Sequence, residues 1–182
     1  MEKLGMEHLE QFLKWKKEEA ERNQIDREQI KKQWLNEIES FYKQIKSFLA
    51  PLQEKQLLSL NWEEIKIQEE NLGEYTTKKL HINFPDQKVV VEPVGKYIIG
   101  ANGRIDMIGK NENVRFLLVD KRAKSPKITV SFDNEMTKAL EKIRPLKDTE
   151  YAWKIATPPP NIQFIDLNED SFSDALLGVI AN

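Results

Sequence analysis

Residues 97–121 read YIIGANGRIDMIGKNENVRFLLVDK, three apolar, β-rich runs separated by two turn signals, and this stretch marks the expected centre of an antiparallel sheet. Asn102-Gly103 is the dipeptide that best tolerates the positive φ angles of a two-residue type I′ loop. A hairpin closed there sets Ala101 against Arg104, Gly100 against Ile105, Ile99 against Asp106 and Ile98 against Met107. Strict alternation then gives one face to Ile98, Gly100, Ile105 and Met107, and the other to Tyr97, Ile99, Ala101, Arg104, Asp106 and Ile108. Asp106 is thereby placed among apolar neighbours, which makes it the first carboxylate to weigh for a function.

Outward from this centre the sequence keeps a period of two. Upstream, Trp62, Ile65 and Ile67 precede a turn at Asn71-Leu72-Gly73, and residues 75–84 alternate through Leu80, Ile82 and Phe84. Pro85-Asp86 interrupts the run, Val89-Val90-Val91 resumes it, and Pro93 and Gly95 break it again. Downstream, strands are expected at 114–119, 128–132, 151–156 and 162–167, with a short helix at 134–143 stopped by Pro145. Asn168 is placed to cap a last helix at 169–180, in which Phe172, Ala175, Leu176, Val179 and Ile180 follow the spacing of one buried face. Short turns and the lack of long helical crossovers argue for a meander rather than a parallel sheet.

The first 60 residues have a helical period instead. Residues 3–22 are dense in Glu, Lys and Arg around a sparse apolar stripe, and Asp26 with Gln29 resembles a capping box that starts a second helix. Beyond it Trp34, Ile38, Phe41, Ile45, Phe48 and Leu52 recur at alternating intervals of four and three until Pro51 ends or kinks the helix. The expected fold class is therefore α+β, an antiparallel β-meander packed against N-terminal helices and a C-terminal helix. Residues 1–60 form the helical segment, a helical hairpin or coiled coil, and residues 61–182 the sheet domain.

Composition narrows the function classes. The chain has 182 residues, 32% of them charged, with a net charge of only −2, so no global field holds nucleic acid or an anionic membrane. The absence of cysteine removes disulfides, thiolate nucleophiles and cysteine-ligated zinc, and fits a reducing cytosol. The N-terminus is acidic from Glu2 and lacks the apolar core of a secretory signal, and no run reaches the ~20 apolar residues of a membrane span. A cytoplasmic and, from its compactness, bacterial protein is expected, without membrane attachment, metal or cofactor.

Two constellations carry candidate chemistry. Gly103-Arg104-Ile105-Asp106 followed by Leu117-Leu118-Val119-Asp120-Lys121-Arg122 places an acid on one strand and an acid with bases at the end of the next. Over about 20 residues it resembles a degenerate PD-(D/E)xK nuclease core, in which two acids hold a divalent ion and a lysine helps activate water. The resemblance implies Asp106 and Asp120 as metal ligands and puts Arg122 at the lysine position, where a permanently charged guanidinium cannot accept a proton. Pairing of Asp106 with Arg104 or Arg115, and solvation of Asp120 at a strand end, is the preferred account. The loop bearing Lys121, Arg122, Lys124 and Lys127 offers phosphates four bases in seven residues, but no row of aromatic residues accompanies it to stack bases, so nucleic acid is a weak candidate.

The preferred expectation is a non-enzymatic module that binds a protein partner, or a second copy of itself, through its N-terminal helices. An immunity- or antitoxin-type role is one form of it. The candidate contact residues are Leu4, Leu9, Phe12, Leu13 and Trp15, the last lying off the stripe as an exposed aromatic anchor. A metal-dependent nuclease, or its inactive relative, is the alternative.

Overall fold

The computed structural model describes residues 2–127 and 149–181, with side chains from residue 6 onward. Within these bounds the chain runs α1 (Glu2–Glu54), β1 (Ser59–Glu69), β2 (Gly73–Asn83), β3 (Lys88–Gly95), β4 (Arg104–Ile108), β5 (Asn113–Asp120), β6 (Tyr151–Ala156), β7 (Phe164–Asp166) and α2 (Glu169–Ile180). The seven strands form one sheet in the order β1-β2-β3-β4-β5-β6-β7, each antiparallel to the next. This is the expected α+β meander. The strand and helix expected at 128–132 and 134–143 lie outside the described residues.

Both helices pack on one face of the sheet. Trp34, Ile38, Phe41, Ile45 and Leu49 of α1 meet Leu80, Ile82, Val89, Val91, Ile105, Met107, Phe116 and Leu118, with Phe172, Leu176 and Val179 of α2 completing the core. The apolar intervals of four and three read from the sequence are thus the stripe by which α1 docks on its own sheet. Directional bonds fix the dock. The Tyr42 hydroxyl lies 2.8 Å from the Lys78 carbonyl and 2.9 Å from that of Val91, and Trp153 Nε1 donates to the Glu37 carbonyl at 3.3 Å. At α2, Asn168 Oδ1 accepts from the Ser171 amide (2.9 Å) and Ser171 Oγ from the Asn168 amide (3.0 Å), the reciprocal capping box.

Two local expectations are corrected, and the helix end expected at Pro51 falls within one turn of it. Of the helical hairpin or coiled coil expected in residues 1–60, the hairpin is replaced by a single α1, which runs through Asp26 without a break. Residues 22–25 contain neither Gly nor Pro, so the helical hydrogen bonds continue and the capping side chain has nothing to cap. Pro51 sits inside α1, which ends three residues later at Glu54. Finally, Asn102-Gly103 does not close a two-residue hairpin. The turn closes at Ile98 and Ala101, where the Ala101 amide donates to the Ile98 carbonyl at 3.1 Å and Gly100 takes the positive φ of 81°. Asn102 and Gly103 instead bond to Leu118 of β5, and β4 pairs with β3 through Val91↔Met107, Glu92↔Asp106 and Pro93↔Ile105. That pairing buries Val89 and Val91 beside Met107, whereas Ile99 is left almost wholly exposed. Apolar burial decides the partner strand.

The β1–β2 hairpin is longer than its neighbour. Its register is unbroken from Ser59↔Asn83 to Glu69↔Gly73, but β2 pairs with β3 only over residues 80–83. Along β2 the buried set changes parity, from Tyr75 and Thr77 to Leu80 and Ile82. A two-stranded ribbon twists more strongly than a broad sheet, and this twist turns Tyr75 toward Trp34. Trp62 lies on this edge, 41% exposed, with its ring edge-on to Tyr42 at 4.9 Å. Glu63, Glu64 and Lys66 along β1 supply the charges that protect an edge strand from pairing with other chains.

Candidate functional site

The first half of α1 leaves the body of the molecule. From residue 6 to residue 29 every position but Glu19 is exposed, a length of about 36 Å at ~1.5 Å per residue. Met6, Leu9, Phe12, Leu13 and Trp15 are each about half exposed or more, at 69%, 49%, 51%, 56% and 49%. At about 100° per residue, Met6, Leu9, Phe12, Leu13 and Ala20 fall on the same side of the helix as Trp34, Ile38, Phe41 and Ile45. The side of the helix that docks on the sheet thus carries a second, separate apolar patch beyond it, with Lys16, Ala20, Asn23 and Arg27 between the two. Trp15 lies beside the stripe with its ring 6.0 Å from that of Phe12, so aromatic surface flanks the aliphatic patch. The side chain of Leu4 lies outside the described set. Charged residues decorate the other sides, among them the Glu10–Lys14 pair at 2.6 Å.

The two acids of the nuclease-like constellation are not brought together. Asp106 stands opposite Arg115 in the β4–β5 register, and Asp120 follows Arg115 by five residues on β5. An odd separation places them on opposite faces of the sheet, and five residues span about 16 Å. Each is held by a neighbouring arginine. Arg104 Nε and Nη2 donate to the two oxygens of Asp106 at 2.7 Å each, a bidentate clamp, and Arg122 donates to Asp120 from Nε (3.3 Å), Nη2 (3.2 Å) and its backbone amide (2.9 Å). Arg122 thereby lowers the pKa of the Asp120 carboxyl through hydrogen bonds, and Asp106 raises that of the Arg104 guanidinium in the same way. Lys121 of the basic loop reaches Glu150 at 3.2 Å, so two of its four bases face acids. Lys124 and Lys127 are exposed on the same loop. Among the described residues, no group of three or more His, Asp or Glu is placed to hold a metal ion.

A buried polar cluster escaped sequence reading altogether. Lys96 is only 5% exposed, and its Nζ donates to the Asn102 carbonyl at 2.9 Å. The Glu69 carboxylate, at the end of β1, accepts from the Tyr75 hydroxyl (2.5 Å) and from the amides of Lys96 (3.0 and 3.1 Å) and Tyr97 (3.2 Å). Tyr75 in turn accepts from Trp34 Nε1 at 2.9 Å, so one chain of bonds joins α1, the β1–β2 hairpin and the β3–β4 connection. Burial pushes the Lys96 ammonium down to about 8, against the opposing pull of Glu37 and Glu69. Burial likewise raises Glu37, which Lys96 partly offsets, and raises the Tyr75 hydroxyl, which its bond to Glu69 raises further. With its bonds satisfied inside the fold, the cluster acts as a fastening. No local signal marks it, because the Glu69 carboxylate that joins the cluster lies 27 residues from Lys96 in sequence.

That fastening predicts a pH effect. A lysine whose folded pKa lies below its unfolded value binds fewer protons when folded, so stability rises with pH between about 8 and the unfolded value near ~10.4. Lys96→Met is expected to abolish this rise. The wild-type gain between about pH 7 and pH 9.5, on the order of 1–2 kcal/mol, is measured by urea unfolding. Equal pH slopes for the two proteins would refute the assignment.

Fold and exposed surface together define the chain as a helix-covered antiparallel meander that carries a free helical arm. Comparison with protein-family models, curated proteins and solved structures gave no match. Among the described residues, no helix is long and apolar enough to cross a membrane.

Proposed function

We propose that this chain is a non-enzymatic binding module that engages another protein chain through the projecting half of α1. The supporting observation is the exposed apolar patch of Leu13, Phe12, Leu9 and Met6, on the docking side of the helix but past its last contact with the sheet. An isolated helix owes little stability to its own hydrogen bonds and gains most from packing an apolar face, so an arm of this length is suited to acquiring a partner. Trp15 and Phe12 supply the rigid aromatic surface that dominates binding energy at protein interfaces.

Removal of residues 1–25 tests the proposal. It leaves Asp26 at the new helix start, where its carboxylate and Gln29 can form the capping box that the full-length helix makes redundant. The shortened chain is expected to melt cooperatively within a few degrees (about 2–4 °C per kcal/mol) of the full chain and to lose association. Loss of the folded state on truncation would show that the arm belongs to the core and sink the proposal.

A further inference from the structure

From the coincidence of a helix-start signal with the point where α1 leaves the sheet, we infer that α1 has a second, inner start at Asp26 and that residues 2–25 pass as one unit between the helix of the structure and an unwound chain. Such a switch is a property of this chain alone, whatever the arm binds.

Residues 25–30 read IDREQI, which holds every part of a helix start. Asp26 at the cap and Gln29 three residues on make the two halves of a capping box, and Ile25 before the cap and Ile30 four after it make the pair of a hydrophobic staple. Glu28 adds an acid where a first turn favours one. The continuous helix uses neither device. Amides near Asp26 are already bonded within α1, and five residues separate Ile25 from Ile30 by about 140° around the axis, at ~100° per residue. Ile25 is left 57% exposed, while Ile30 packs against the core.

Tertiary support ends at the same place. Ile30 is the first side chain of α1 packed on the hydrophobic core, and positions 6–29 are exposed but for Glu19. Ahead of Ile30 the helix is held by its own hydrogen bonds and by exposed pairs such as Glu10–Lys14, which makes it marginal in water. Asn23, Ile25 and Asp26 are weak helix formers at the junction itself. Unwinding to Asp26 therefore gives up little and gains a cap, a closed staple and a matched first turn. Unwinding further strips Ile30 and Trp34 from the core. Unwinding less far reaches only Asn23, a capping residue with no Glu or Gln three residues on and no apolar pair to staple.

The patch of Met6, Leu9, Phe12 and Leu13 exists only in the helical state, so a partner that reads it must draw the arm out of the unwound population.

Amide hydrogen exchange of the full chain in dilute solution, read by NMR, tests the switch. One shared, low protection is expected over residues 6–24, stepping up between Arg27 and Trp34 to that of the docked helix. Asp26→Ala removes the cap and favours the continuous helix, so arm protection should rise about tenfold, the loss of a cap compounded by the helix propensity of alanine. Asn23→Ala brings the propensity gain without touching the inner start and should raise it only about threefold. Equal rises for the two variants would overturn the inner start. So would a protection that falls gradually toward Glu2, as plain fraying gives, or an arm as protected as Ile38 to Leu49.

Discussion

Phe41→Ala is expected to lower the unfolding free energy by about 3–5 kcal/mol, the range for truncating a large buried aromatic side chain. Phe41 is fully buried and stands at the meeting point of α1 with the far side of the sheet. Its ring lies 5.0 Å from Phe116, 5.0 Å from Trp153 and 5.7 Å from Tyr42, in edge-on or tilted arrangements. Alanine removes the transferred apolar surface and leaves a cavity that three rigid aromatic neighbours cannot collapse into. Against a total stability of ~5–15 kcal/mol, such a loss brings the protein near its folding threshold. Urea denaturation supplies the measurement, with the midpoint falling and the slope unchanged. A loss below about 1 kcal/mol would mean that α1 does not dock on the sheet as described.

Gly103→Ala should be nearly as damaging, although it adds only one carbon. A Cβ at this position would meet the Trp34 ring at 2.3 Å, and the backbone φ of 153° is one that L side chains rarely adopt. Trp34 has no room to yield, since it is fully buried, bonded through Nε1 to Tyr75 and packed against the tilted ring of Trp153 at 6.1 Å. Overpacking and backbone strain each cost about 1–3 kcal/mol, so a combined loss of about 2–5 kcal/mol is expected in the same measurement. Gly100→Ala makes the useful comparison. Its φ of 81° is also unfavourable for alanine, but nothing lies within 4 Å of the added carbon, so its cost should be the strain alone. Equal losses at the two positions would remove Trp34 from the explanation.

These two sites differ in how far sequence could have foretold them. Phe41 belongs to a stripe whose spacing is visible without any structure, and its burial follows from that spacing. Gly103 was also prominent, but for the wrong reason. As half of Asn-Gly it signalled a tight hairpin, whereas its lack of a side chain actually serves the close approach of a tryptophan 69 residues earlier. Local turn chemistry favours Asn102-Gly103 over Ile98–Ala101. What separated them was the apolar surface gained by pairing β4 with Val89 and Val91, a long-range quantity.

The candidate sites divide in the same way. Leu9, Phe12, Leu13 and Trp15 could be nominated from sequence because a sparse stripe amid charge is a local pattern, and the structure leaves them exposed on a free arm. Asp106 and Asp120 attracted attention through a short motif, yet residue parity along β5 separates them onto opposite faces and each takes a neighbouring arginine. Lys96 gave no warning, because a lysine between Gly95 and Tyr97 in a turn-rich stretch ordinarily faces water.

Element type along the sheet, the antiparallel meander, the cap at Asn168 and the core face of β4 were legible from residue order alone, because propensity, capping and alternation act over a few neighbouring residues. The continuity of α1 through Asp26, the partner strand of β4, the burial of Lys96 and the projection of the arm past the sheet were decided by the tertiary structure. Each depends on which surfaces, tens of residues apart, find enough apolar area and enough hydrogen-bond partners to offset the entropy of being held together.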